Sequence, residues 1–285
     1  MKFRQEKAQV FIPGGMQPDE ALQNTTHLAI GAHQDDLEIM AVAGILECFQ
    51  DPQKGFSGVV CTDGSGSPRD GLYAQYTDEQ MMPVRIEEQK KAAILGEYLA
   101  QVFLAYPSSV VKDGNSQDLV QDLSKIVQAA SANIIYTHNL ADKHETHVAV
   151  ALRTISAIRM LPVEKRPSML LGCEVWRNLD WLLDDEKVVS DVSQHENLQA
   201  ALLGVFDSQI SGGKRYDLAT LARRRANATC FQSHQTDIST GLKFAMDLTP
   251  LIQDPELDIQ EYVQGYINRF ADQVKERLNR MQTAR

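Results

Sequence analysis

Two stretches of this chain, more than a hundred residues apart, hold the side chains best suited to chemistry: "AIGAHQDDLEIMAVAG" (29–44) and "HNLADKHETH" (138–147). The first places His33, Asp35 and Asp36 at the end of an apolar run. Adjacent carboxylates repel and are costly to desolvate, so positive charge is expected beside them. His33 and Asp36 are three apart at a strand-to-helix turn and can both reach one ion, while Asp35 between them points a different way. His144 and His147 are three apart at the start of a helix and share a face. An imidazole–carboxylate–imidazole set with open positions suits catalytic Zn²⁺, which takes three protein ligands plus water. Asp35 would then be free to act as general base on that water, whose pKa the metal lowers toward roughly 7. Each feature also has a plainer reading. A lone histidine at a strand end is usually a hydrogen-bonded structural residue, Asp-Asp at such a turn is often an N-cap favoured by the helix dipole, and H-x-x-H recurs on solvated helix faces. Their joint placement is what argues for a metal.

That placement depends on the elements that carry them. "HLAIGAH" (27–33) reads as a buried strand, with a helix over 37–50; "FSGVVCTDG" (56–64) repeats the pattern and runs into the loop "DGSGSPRDG". A helix is predicted from about Pro83 through 98, with Val84, Ala92 and Leu95 on its apolar face. Strands follow at 101–106, 133–138, 168–176 and 240–248, and helices at 116–131, 144–161, 191–206, 215–231 and 258–281. Strands alternating with helices predict an α/β, Rossmann-like, doubly wound and mostly parallel sheet, extended at its C-terminal end by further α/β structure. With no low-complexity linker and no internal repeat, residues 1–285 read as one domain, its metal-site core over about 25–210 and a less rhythmic part over 211–285. Ligands in such sheets bind outside the carboxyl ends of the strands. Three polar clusters fall there: His33/Asp35/Asp36, Thr62/Asp63/Gly64, and His138/Asn139/Asp142/His144/His147.

Composition narrows the class. With 28 basic and 38 acidic residues the formal charge is −10, which disfavours a general nucleic-acid binder. The 43% apolar content supports a sizeable core, and the mean hydropathy of −0.29 is ordinary for a soluble protein. No apolar run approaches the roughly 18 residues of a membrane span. The N-terminal "MKFRQEKAQVFIPGG" lacks the apolar core of a secretory leader, and Cys48, Cys61, Cys173 and Cys230 form no C-x-x-C pair, so a reduced, cytoplasmic protein is expected.

"AHQDDLEIMAVAG" resembles the A-H-P-D-D-x-E…G-G signature of the PIG-L/LmbE-like zinc deacetylase family, and "HNLADKHETH" resembles its second motif, H-P-D-H. "TDGSG", "VRIEEQKKAAILG" and "LLGVFDSQ" (202–209) also fit, so the resemblance spans most of 27–210. It implies that His33, Asp36 and His147 are the zinc ligands and Asp35 the general base. It further implies that His144 protonates or stabilises the tetrahedral oxyanion and that Glu38 supports the ligand shell. Arg85 stands where the family often has arginine. The pattern is departed from at Gln34 (usually Pro), at Ala43-Gly44, and at Glu145-Thr146 where Pro-Asp is usual; Asp142 is a candidate to replace the missing aspartate.

The remaining motifs are weaker. "GSGSPRDG" is no phosphate loop, since neither G-x-x-x-x-G-K-[ST] nor G-x-G-x-x-G is present; it reads as an active-site loop in which Asp63, Arg69 and Asp70 are candidate substrate contacts, with Arg85. "LARRRANA" reads as a solvated basic helix face, with contact to an oligomer partner or an anionic substrate as the alternative. His234 reads as structural or exposed, and Trp176 as pocket lining or core. The leading expectation is therefore a hydrolase that uses Zn²⁺ or another divalent metal to remove an N-acyl group, most naturally acetyl, from a sugar-like or small amide substrate; homo-oligomers are common among relatives. The alternative is a Rossmann-like binding protein with a non-catalytic or absent metal site. A nicotinamide-dependent oxidoreductase founders on the missing glycine fingerprint.

Overall fold

The computed structural model describes residues 1–282. Its strands are β1 (Gln9–Phe11), β2 (His27–Gly31), β3 (Phe56–Thr62), β4 (Ala100–Tyr106), β5 (Ile134–His138), β6 (Met169–Cys173), β7 (Lys187–Asp191) and β8 (Leu242–Asp247), joined in one sheet of order β1-β4-β3-β2-β5-β6-β8-β7. β4, β3, β2, β5 and β6 are parallel. β1 lies antiparallel on β4 at one edge, and β8 is antiparallel to both β6 and β7 at the other. The first half of the chain also contains α1 (Pro18–Gln23), α2 (Asp36–Met40), α3 (Val42–Cys48), α4 (Asp78–Leu95), α5 (Ser108–Lys112) and α6 (Asp118–Ala130). The second half contains α7 (Glu145–Arg159), α8 (Glu196–Gly204), α9 (Asp207–Ile210), α10 (Tyr216–Cys230), α11 (Thr249–Gln253) and α12 (Ile259–Met281). No helix among the described residues is long and apolar enough to cross a membrane.

The fold is thus the expected α/β class, with a mostly parallel sheet. β2, β3 and β4 are buried along their whole length, as strands covered on both faces must be, and read as continuous apolar runs. Two apolar clusters fill the two sides, one including Leu28, Ile30, Val102 and Ile135, the other Ala29, Val60, Phe103 and Tyr136. After β2 the chain builds β3 and β4 on one side, then crosses back to lay β5 on the other. This reversal is a topological switch point, and it opens a crevice at the carboxyl ends of β2 and β5.

Several elements differ from the sequence expectation for identifiable reasons. The helix expected over 37–50 is interrupted at Ala41, and there the Arg224 guanidinium takes the Glu38 carbonyl at 2.7 Å. α4 begins at Asp78 rather than near Pro83, because Thr77 and Gln80 form a reciprocal capping box and acidic residues fill the first turn. Pro83 sits inside the helix, where it removes one backbone donor. Of the expected apolar face Val84, Ala92 and Leu95, only Ala92 is buried. The buried face also takes in Met81, Arg85, Glu88, Gln89 and Ala93, and Leu95 is 39% exposed. The helix expected from 191 begins at Glu196, and β7 occupies 187–191 just before it. The C-terminal strand β8 is not an appended unit but enters the main sheet between β6 and β7.

Gly31 ends β2 directly under the turn that carries the acidic pair. A Cβ there would lie 2.9 Å from Leu37 Cδ2 and 3.1 Å from Asp36 Cβ. Gly31→Ala is therefore expected to cost about 1–3 kcal/mol of stability by overpacking. Gly66→Ala, where an added Cβ meets nothing within 4 Å, is expected to stay within about 0.5 kcal/mol. Urea denaturation of both variants checks this; equal midpoints would show that close approach is not what Gly31 provides.

Candidate active site

The turn after β2 separates the two carboxylates by backbone geometry. Asp35 has φ 94°, ψ −28°, a left-handed conformation that L-residues rarely adopt and that clusters at functional sites. Its side chain caps nothing; Asp35 Oδ2 instead meets Arg85 Nη2 at 2.8 Å, while its backbone N–H donates to Gln89 Oε1 at 3.1 Å. Asp36 turns the opposite way. Its Oδ2 accepts the His33 backbone N–H at 2.6 Å and lies 3.2 Å from His33 Nδ1, and its Oδ1 lies 3.3 Å from His147 Nε2. His33 Nδ1 and His147 Nε2 are themselves 3.2 Å apart. The pair is therefore not a helix cap, and each carboxylate has its own positive partners.

His33 Nδ1 thus stands 3.2 Å from His147 Nε2 and from one Asp36 carboxylate oxygen, and the other Asp36 oxygen stands 3.3 Å from His147 Nε2; His33, His144 and His147, and likewise Asp36, His138 and His147, are close enough to share an ion. Ligands at about 2.0–2.1 Å from a tetrahedral Zn²⁺ are separated by about 3.3 Å, so the two imidazole nitrogens are at ligand spacing and the Asp36 carboxylate lies beside both. Asp142 Oδ2 lies 3.5 Å from His147 Nδ1, the position from which a carboxylate fixes the tautomer of a ligating imidazole. Asp142 also accepts the backbone N–H groups of His144 and Trp176 at 3.3 and 3.2 Å, tying the β5 loop to the segment after β6.

His138, given no role from sequence, is fully buried and stacks on His147 with centroids 3.8 Å apart. Its Nε2 accepts the Ala32 N–H at 2.9 Å, so the lone pair nearest Asp36 is already engaged. It supports the cluster from beneath. His144 is the N-cap of α7; its ring centroid is 4.6 Å from that of His147 and 4.9 Å from that of His33. Its side chain lines the cavity, and its Nδ1 is buried without a hydrogen-bond partner.

Electrostatics follows the geometry. Burial opposes ionisation of Asp36, but His147 and His138 beside it hold its carboxyl far below the usual range. Burial pushes Asp35 up to about 6 despite the Arg85 ion pair. Burial pushes His144 down to about 4 and holds His138 well below the usual imidazole range. Glu38, buried against Tyr98 Oη and Gln89 Nε2 (both 2.7 Å), is pushed up to about 7. Gln89 thus links Glu38 to the Asp35 backbone. Arg85 is held from its other side by Glu88 (3.2 Å), which in turn accepts from the backbone N–H and Oγ of Ser208 at 2.6 and 2.7 Å.

The cavity over this floor is about 600 Å³. Thr62, Gly64, Ser67, Arg85, Trp176 and Tyr216 are among its walls. Gly64 has φ +77°, and a Cβ there would meet Gln34 Oε1 at 2.7 Å; Gln34 fills this space instead of a proline, and its backbone carbonyl accepts from Arg85. Two residues expected as substrate contacts stand elsewhere. Asp63 accepts Ser65 N and Oγ within its own turn, and Arg69 is engaged by Asp78 and the Ser65 carbonyl; neither lines the cavity. Asp70 caps the short turn at Gly71 and is exposed. "LARRRANA" is not one solvated face: Arg223 lines the cavity, Arg224 is 3% exposed, and Arg225 points outward to Glu196. Glu88, Gln89 and Ser208 lay in segments that resemble the family, yet nothing in their spacing marked them as partners.

The chain is thus a doubly wound α/β sheet with polar side chains gathered at its switch point, where sheets of this class bind ligands. Residues 28–158 match the family model described as PIG-L: GlcNAc-PI de-N-acetylase, so this part of the chain is similar to that family. No curated protein matches it. Among solved structures it is similar to a conserved protein from Thermus thermophilus (13% identity, TM-score 0.63, covering 82% of this chain and 99% of that one). It is similar to N,N'-diacetylchitobiose deacetylase from Pyrococcus horikoshii (15%, TM-score 0.57, 81% and 88%). It is also similar to the 4-carboxy-2-hydroxymuconate hydratase GalB from Pseudomonas putida (15%, TM-score 0.58, 79% and 96%). At such identities the likeness shows the fold; a deacetylase and a hydratase share it.

Among the described residues Arg85 is the one cation in contact with both Asp35 and Glu88. Arg85→Met would leave two buried carboxylates without a cation and is expected to cost about 3–5 kcal/mol. Lys54→Met, which breaks the exposed pair with Glu47, is expected to cost about 0–1 kcal/mol. Denaturation curves for the two variants measure the difference, and a similar small loss in both would contradict the account of Arg85.

Proposed function

We propose that the protein is a metal-dependent amidohydrolase that removes an N-acyl group, acetyl in the first instance, from a sugar-like or small amide substrate. The observation that supports it is the convergence of His33 Nδ1, an Asp36 carboxylate and His147 Nε2 on the floor of a cavity, with the Arg85-held carboxylate of Asp35 beside them. The donor set of two imidazoles and one carboxylate, without thiolate, suits a catalytic Zn²⁺ or another divalent ion of similar preference. Such an ion, when bound, supplies a Lewis acid for the amide carbonyl and acidifies a water.

The chain's own residues carry the proton and position the substrate. Asp35, buried and fixed by Arg85 and by its own strained backbone, takes the proton of the attacking water and later delivers it to the departing amine nitrogen. The His144 imidazole donates to the carbonyl oxygen as that atom gains charge, a contribution of about 10²–10³ in rate for one such donor. Asp142 keeps His147 oriented through Nδ1. Cys48, Cys61, Cys173 and Cys230 are free thiols, which fits a reducing compartment such as the cytoplasm.

Asp35→Asn keeps the shape of the side chain but removes the base. It is expected to bind metal at the wild-type stoichiometry while losing about 10²–10⁴ in kcat toward N-acetylated sugars. Amine release by zinc-loaded protein, with metal content read in parallel, measures this; near-normal turnover in Asp35→Asn would remove Asp35 from the mechanism.

A further inference from the structure

The charge of the cavity wall runs against that of the protein. The chain carries a formal −10, yet among the described residues the only acids lining the cavity are Asp35 and Asp36 on its floor, each already engaged. Above them the wall presents Lys112, Lys214 and Arg223. Lys112 is answered by Glu145 at 3.7 Å. Lys214 and Arg223 form no salt bridge among the described residues. Both instead gather on the short stretch Val175–Trp176. Arg223 donates one guanidinium N–H to the Val175 carbonyl, and Lys214 Nζ stands 5.3 Å from the centroid of the Trp176 ring. Trp176, 37% exposed, packs edge-on against Tyr216 with centroids 5.7 Å apart, so the two cations flank an aromatic wall. The Trp176 backbone is in turn pinned to Asp142, the carboxylate that faces His147.

We propose that the substrate carries an anionic group, a carboxylate or a phosphate, on the part remote from the acyl amide, and that Lys214 and Arg223 are the specificity-determining residues that bind it. Two cations without carboxylate partners, placed on an aromatic surface that a sugar ring can cover, form a receptor for an acidic glycoside-like molecule. Asp142 holds this receptor at a fixed distance from the reacting end, so the anion sets the register of the amide over Asp35. The anion site rests on reading this cavity as the deacylase site.

The experiment uses zinc-loaded full-length protein with N-acetylglucosamine, its 6-phosphate and N-acetylmuramic acid as neutral, phosphate and carboxylate arms. Calorimetric binding of the corresponding free amines is measured alongside turnover. At least one anionic arm is expected to exceed the neutral one by about tenfold or more in kcat/KM, mainly through KM, and the preference should shrink with added salt. The arm that wins identifies the anion. Lys214→Met and Arg223→Gln should bring the anionic-to-neutral ratio toward one, Arg223→Lys should recover part of it, and Arg225→Gln, outside the cavity, should leave it unchanged. Turnover with no anionic preference, or a preference untouched by Lys214→Met and Arg223→Gln, overturns this inference and leaves the deacylase reading intact. Preferential binding of the anionic amines that is lost in those variants, without turnover of any arm, upholds the anion site and overturns the deacylase reading.

Discussion

Two adjacent carboxylates are buried within one turn of this protein, and everything around them is arranged so that each meets a different positive charge. Burial alone would force both Asp35 and Asp36 to take up protons. The positive φ of Asp35 sends the neighbouring side chains in opposite directions. Asp36 then faces His33, His138 and His147, which keep it ionised, and Asp35 faces Arg85. Without this divergence there would be one repelling pair instead of two carboxylates with separate partners.

The divergence is maintained from a distance. Arg85 is useful to Asp35 only because Glu88 and Ser208 fix its other side, and Gln89 holds the Asp35 backbone while Glu38 and Tyr98 hold Gln89. One face of α4 is thereby polar and buried. Arg224 adds a link from α10 to the end of α2, donating to the Glu38 carbonyl with no carboxylate partner among the described residues, and burial pushes it down to about 9. These contacts join elements far apart in the chain and tie the site to the core it sits on.

Much of this was legible in the residue pattern, and the reasons for the gaps are physical. Strands buried on both faces read as continuous apolar runs, and the strand–helix alternation then implies a parallel sheet and a rim where His33, Asp36 and His147 meet. The spacing of His144 and His147 implied adjacent rings, which lie 4.6 Å apart. β1 and β7 were not legible, because they are short edge strands without a buried alternation. The face of α4 was misread because periodicity arguments look for apolar stripes, and this helix buries Arg85, Glu88 and Gln89. Asp63 and Arg69 had the chemistry of substrate contacts, but short-range partners in their own loop and at Asp78 use it up. The run Arg223-Arg224-Arg225 looked like one surface; successive helical residues are turned by about 100°, which sends one into the cavity, one into the core and one to solvent.

The central claim is that His33, Asp36 and His147 hold one divalent ion while His138 does not. X-ray absorption on zinc-loaded protein, with metal stoichiometry for the wild type and His138→Phe, tests it most directly. The account expects about one zinc per chain, nitrogen and oxygen ligands at about 2.0–2.1 Å with an imidazole signature and no sulfur, and zinc retained in folded His138→Phe. Sulfur in the first coordination sphere, or zinc lost from a folded His138→Phe protein, would contradict it.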